Sequence, residues 1–200
     1  MTDQETRHRQ RRARFESLAH VVTESLHRYL VRRTSPDMVE DVLSETMLVL
    51  WRRMDEVPGL GTGSGPGRGP GTLPDRDAVL PWCYGVARHC LANARRADGR
   101  RLRLVERLIG ARQESPAVAA DHSDLHAALG TLSELDREVV RLWAWEGLAP
   151  RQIAEATGMT PNAVSMRLHR AKKKLAEKLR PVRKNAELPG HEMSEGRSSQ

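Results

Sequence analysis

Aromatic residues are scarce in this chain: four Trp, two Tyr and one Phe make up 4% of 200 residues. Runs of β-branched or aromatic residues are nearly absent, and Leu, Ala and Val dominate the apolar set. That argues against a sheet protein, whose strands draw on such residues. Cysteine is scarce too. Cys83 and Cys90 are too few for a disulfide framework or a four-thiolate metal site. Two helical turns would hold them roughly 10 Å apart, so small buried thiols are expected, with no metal and no cofactor. No apolar run approaches the roughly 18 residues needed to cross a bilayer. Met1-Thr2-Asp3-Gln4-Glu5 and the five Arg before Phe15 carry no apolar stretch of the secretory kind. The expectation is a cytoplasmic, helical protein that does not engage a membrane.

Charge is what the chain has in quantity, at 30% of residues, a net +7 and a pI near 10.1. A basic excess of this size suggests a polyanionic partner. Its distribution says more. Residues 161–184 hold nine Lys/Arg and one acid, and residues 88–107 hold seven Arg and two acids. Residues 37–56 hold six acids against two Arg, and 121–138 five acids against one Arg. Acidic blocks are of no use to a protein that only coats nucleic acid. They point to a second, basic partner surface or to solvated helix faces.

Periodicity organises the chain into helices. Residues 1–14 read as a disordered basic arm. From Phe15, apolar residues at Leu18, Val21, Val22, Leu26, Tyr29 and Leu30 fall at helical steps. Ser35-Pro36-Asp37 starts a second helix, with a capping residue, a proline suited to the first turn and an acid near the positive dipole end. Residues 58–74, with seven Gly and four Pro, hold neither helix nor strand and read as a loop. Helical spacing resumes at Leu80-Pro81-Trp82. Residues 108–124 read as a flexible linker, and 181–200 as a disordered tail. Two small helical domains result, 15–107 and 125–180, an all-α fold.

The second domain carries the sharpest motif. Ser133 with Asp136 forms a capping signal, and Gly147 stops the helix that follows. Ala154 is small where two helices would cross, and Gly158 suits a sharp turn. Thr160-Pro161 starts a further helix, with Val164 and Leu168 packing back on Ile153. This is a helix-turn-helix. Thr160 and Pro161 lie at the start of its second helix, and Asn162, Ser165, Met166, His169, Arg170 and Lys173 fall on its outer face. The N-terminal half of that helix enters the major groove in this motif. Arg167, Lys172 and Lys174 flank it and suit phosphates.

With both domains read, the chain resembles the extracytoplasmic-function group of bacterial sigma factors, the promoter-specificity subunits of RNA polymerase. Three stretches carry the resemblance: Asp41-Val-Leu-Ser-Glu45-Thr-Met-Leu-Val-Leu-Trp51, Trp82-Cys-Tyr84-Gly-Val-Ala-Arg88-His89 with Arg95-Arg96, and Val164-Ser-Met-Arg-Leu-His-Arg-Ala-Lys-Lys-Lys-Leu175. The resemblance implies no catalysis by this chain. It implies binding to the polymerase core, at the β′ clamp helices through Asp41, Glu45, Leu48 and Arg52 and at the β flap. It implies that Trp82, Tyr84, Arg88, His89, Arg95 and Arg96 hold the −10 element and help to part the strands, and that the outer face of the last helix reads the −35 element in promoter DNA. An anti-sigma factor is a further partner it leaves open. Ser44, Met47 and His89 depart from the Gln, Phe and Asn usual in the group. A plain helix-turn-helix regulator is the alternative, but it needs a ligand or dimerisation domain where residues 15–107 show an acidic helix. A recombinase would need a catalytic domain with a nucleophilic Ser and clustered Arg.

Overall fold

The computed structural model describes residues 3–60, 73–109 and 123–185. Among them it is all-helical, with no strand. Three helices form the first module: α1 (Asp3–Val31), α2 (Pro36–Arg52) and α3 (Arg76–Ile109). A 3-10 turn, Met54–Glu56, follows α2. Four helices form the second: α4 (Ser123–Gly130), α5 (Glu134–Ala144), α6 (Pro150–Thr157) and α7 (Pro161–Asn185). Most of the Gly/Pro loop expected at 58–74 and of the linker expected at 108–124 lies outside the described residues, as do residues 186–200.

The inner stripe of α2, Val39, Val42, Leu43, Thr46 and Leu50, is buried. It faces Leu18, Val22, Leu26 and Leu30 of α1 and Val79, Cys83, Val86 and Ala87 of α3. Pro36 opens α2 at a position where no intrahelical amide is needed. Thr46, polar within this core, satisfies its hydroxyl by donating to the Val42 carbonyl at 2.7 Å.

Two boundaries differ from expectation. Residues 3–14 are not an arm; they are the first turns of α1. The cause is Trp51 at the end of α2. Phe15 meets its ring edge-on at 5.2 Å, Arg11 lies 5.2 Å from the ring centre, and Arg11 also donates to the Trp51 carbonyl at 3.0 Å. Arginines that look solvated in sequence thus hold the helix down. At the other end, α7 passes Pro181 and runs to Asn185. Proline removes one amide donor there, but its fixed φ is compatible with a helix.

In the second module the turn chemistry follows the sequence. Ser133 accepts from the Asp136 amide at 3.1 Å, and Gly147 and Gly158 take φ of 70° and 72°, where a side chain would be strained. Thr160 accepts from the Ala163 amide at 3.2 Å, capping α7. Ile153, Val164 and Leu168 are buried together with Val139, Val140 and Leu142 of α5. The two modules are not held apart. One apolar core runs through both, with α6 lying across α3.

Candidate nucleic-acid interface

The outward row of α7 is open to solvent. Asn162, Ser165, His169, Arg170 and Lys173 are exposed, as are Thr160 and Pro161 at the start of the helix. Met166 is 50% exposed, high for so apolar a side chain. Burial of Val164, Leu168 and Ala171 on the reverse side fixes this orientation. Arg167 behaves differently from its neighbours. It is half-buried and donates to Asp136 of α5 at 2.8 Å. Burial would raise the Asp136 carboxyl, but hydrogen bonds from Ser133 and Arg167 outweigh it and hold the group below its ordinary value. Of the flanking cations, Lys172 sits 3.4 Å from the ring centre of Trp143, itself 42% exposed. Lys174 donates to the Thr131 carbonyl.

On α2, Asp41, Glu45, Leu48 and Arg52 are all exposed along one side, with Ser44 beside them. The buried stripe turns inward and leaves this acidic-apolar row facing solvent.

The residues of α3 are divided. His89 and Arg96 are exposed. Trp82 is half-buried, with the Arg53 guanidinium 5.3 Å from its ring centre. Arg88 is half-buried. Tyr84 is only 3% exposed, packed 5.2 Å from Tyr29, and burial pushes its hydroxyl up to about 12. Arg95 donates to the Arg33 carbonyl and lies 4.0 Å from Glu134 of α5. The expected strand-opening row is therefore divided: His89, Arg95 and Arg96 are open, while Tyr84 is covered by Tyr29 of α1.

The contact between the two modules has a definite chemistry, which sequence reasoning missed. Arg33, its side chain 1% exposed, pairs with Glu138 at 3.1 Å and with Glu146 at 3.0 Å. Tyr29 donates to Glu138 at 2.9 Å. Arg32 reaches Glu146 at 3.4 Å. Pro81 cannot donate to the Asp77 carbonyl one turn before it. Gln152 of α6 donates to that carbonyl instead at 3.1 Å, while accepting from the Ala149 amide at 2.9 Å. Against Gly85 of α3, the Ala156 backbone comes so close that an added Cβ would sit 3.2 Å from its oxygen. A proline inside a helix and a glycine in the middle of one were the available signals.

Cys83 and Cys90 are both buried and unpaired. Burial, with Glu155 nearby, raises the Cys83 thiol to about 12, which keeps it neutral. The described residues contain no group of three or more His, Cys, Asp or Glu able to hold a metal ion. No helix among them is long and apolar enough to cross a membrane.

Residues 122–175 match the sigma-70, region 4 family. Among solved structures, the chain is similar to the sigma factor RpoE in its complex with the anti-sigma factor NepR from Bartonella quintana. That match has 22% identity and a TM-score of 0.55, and covers 81% of this chain and 94% of that one. CnrH, solved with the cytosolic domain of CnrY, matches at 18% identity and a TM-score of 0.45, over 86% of this chain and 97% of that one. No curated protein sequence matches. The second module is a region 4 domain. The likeness to RpoE over 81% of the chain shows a shared helical fold.

Proposed function

We propose that this chain binds RNA polymerase core and gives it promoter choice, reading the −35 element with α7 and the −10 element with α3 and helping to part the strands. The observation that carries the reading is the outward row of α7. Its polar residues and Met166 stand free at the N-terminal half of a capped helix, within the stretch that matches region 4. Such a row meets base edges when the helix lies in a major groove. Arg170 and Lys173 are the residues that donate to bases, and Lys172 and Lys174 reach phosphates. The exposed Asp41, Glu45, Leu48 and Arg52 row docks onto the polymerase β′ clamp helices, and region 4 contacts the β flap. On α3, Trp82 supplies an aromatic face for an unstacked base, and Arg88, His89, Arg95 and Arg96 follow the backbone. Polymerase performs the chemistry. The protein works in the cytoplasm, where core enzyme and promoters are. An anti-sigma factor is a partner class consistent with the RpoE relative, which was solved with one.

Run-off transcription with purified core polymerase on a promoter library tests this. Transcripts that start downstream of a shared pair of elements are expected. Tight operator binding by the chain alone, with no transcripts on adding core, would instead favour a regulator.

A further inference from the structure

We infer that the cavity bounded by Arg28, Arg32 and Arg76 is a binding site for a diphosphate group, free or carried by a nucleotide. The site is separate from the DNA-facing row of α7 and does not depend on the assignment of either promoter element.

The cavity has a volume of about 360 Å³ and lies between α1, the start of α3 and the 145–152 turn of the second module. A cavity of roughly 15 Å³ already holds a water, so this one has room for a ligand. Pockets for apolar small molecules are lined mostly by hydrophobic side chains. Here three guanidiniums, the Tyr84 phenol and the Gln152 amide share the lining, which suits a charged solute that accepts hydrogen bonds.

Charge decides the sign of that solute. Two acids also line the cavity, Glu146 and Asp77. Glu146 is already answered: Arg33, outside the lining, pairs with it at 3.0 Å, and Arg32 reaches it at 3.4 Å. Asp77 stands in the first turn of α3, where the positive end of the helix dipole offsets its charge. Arg28 and Arg76 have no comparable answer. Arg28 pairs with Glu24 at 3.5 Å, with side chains 51% and 83% exposed, a surface pair of the kind that contributes little. Arg76 has no ion pair among the described residues; its Nη2 donates to the Ser25 hydroxyl at 2.8 Å. Ser25 is also hydrogen-bonded to the Tyr84 hydroxyl, and both Arg28 and Arg76 act on that hydroxyl. Because burial keeps the phenol protonated, it stands beside the two guanidiniums as a neutral donor.

Planar guanidiniums bind phosphate oxygens in a bidentate fork. Arg28 and Arg32 lie four residues apart on α1, about 6 Å along the axis, and Arg76 faces the same space from α3. Donors spread over that distance and converging from two helices fit two linked phosphoryl groups better than one.

The test is isothermal titration calorimetry on the full chain, with inorganic pyrophosphate and ADP as probes, at fixed ionic strength so that screening is constant. The parent should bind both at one per chain, and the tighter of the two tells a nucleotide from a free ion. Arg76→Gln and Arg28→Gln should each weaken binding at least about tenfold, with helicity checked by circular dichroism. Arg76→Lys keeps the charge but loses the fork; it should bind more weakly than the parent, and it carries the test if a glutamine variant loses helicity. The double variant Arg170→Gln/Lys173→Gln, which removes exposed cations of α7, should bind the probes as the parent does. A parent that takes up neither probe overturns the inference. So do cavity variants that bind like the parent, or binding that is lost in the α7 variant.

Discussion

The outward face of α7 and the corresponding face of α3 are both basic helical surfaces assigned to promoter DNA, yet their states differ. On α7, seven of the eight residues expected on the reading face are exposed polar or proline positions, Met166 stands out with them, and the flanking Arg167 is turned toward Asp136. On α3, Tyr84 is buried against Tyr29 of α1 and Arg95 is tied to the Arg33 carbonyl. The difference lies in where the covering residues come from. The orientation of α7 is set by Ile153, Val164 and Leu168, close neighbours in one helix-turn-helix. The cover on Tyr84 is set by Tyr29, a residue of a different helix, α1. Local packing presents a surface, and long-range packing can withdraw one.

Substitutions sharpen this contrast. The largest effect is expected from Ile153→Ala, which removes a fully buried side chain beneath α7. It should cost about 2–5 kcal/mol of stability, seen by calorimetry, and should abolish upstream promoter selectivity. Asp41→Arg places a cation in the exposed α2 row and should weaken capture of core polymerase by about 2–3 kcal/mol without changing helicity; an unchanged pull-down rejects that docking row. Arg170→Ala and Lys173→Ala should each cost about 1–3 kcal/mol in −35-dependent transcription, with the radius of gyration of the free chain unaltered. If neither changes output, the assigned face of α7 is wrong.

The smallest effect concerns Arg167, the cation on that helix that is paired with an acid. Asp136→Asn should lower stability by about 1 kcal/mol or less, because it weakens the Arg167 pair at a partly exposed site. The sign with pH follows from the depressed Asp136 carboxyl. Its contribution is present above the ordinary carboxylate range and is lost as pH falls through the lowered folded value. Acid titration should therefore erase the difference between parent and variant, and a difference that grows with acid contradicts the assignment.

What could be read from the sequence was local. The stripes of α2 and α7, the Ser133 and Thr160 caps and the turns at Gly147 and Gly158 each follow from residues within a few positions. The all-α fold follows from the same periodicity. The arm at residues 3–14 was misjudged because Arg11 and Phe15 gain their partner, Trp51, only in the folded module. The burial of Tyr84 is not legible in sequence, since no pattern near it names Tyr29 of α1 as its neighbour. Pro81 and Gly85 looked like irregularities. They mark where Gln152 reaches the Asp77 carbonyl and where α6 approaches α3.

The most direct test is to map transcript start sites from purified core polymerase supplied with this chain or with its Arg170→Ala variant. The account predicts discrete starts preceded by two shared sequence elements, with only the upstream element losing its influence in the variant. No transcripts above core alone, or starts indifferent to both elements, would contradict it.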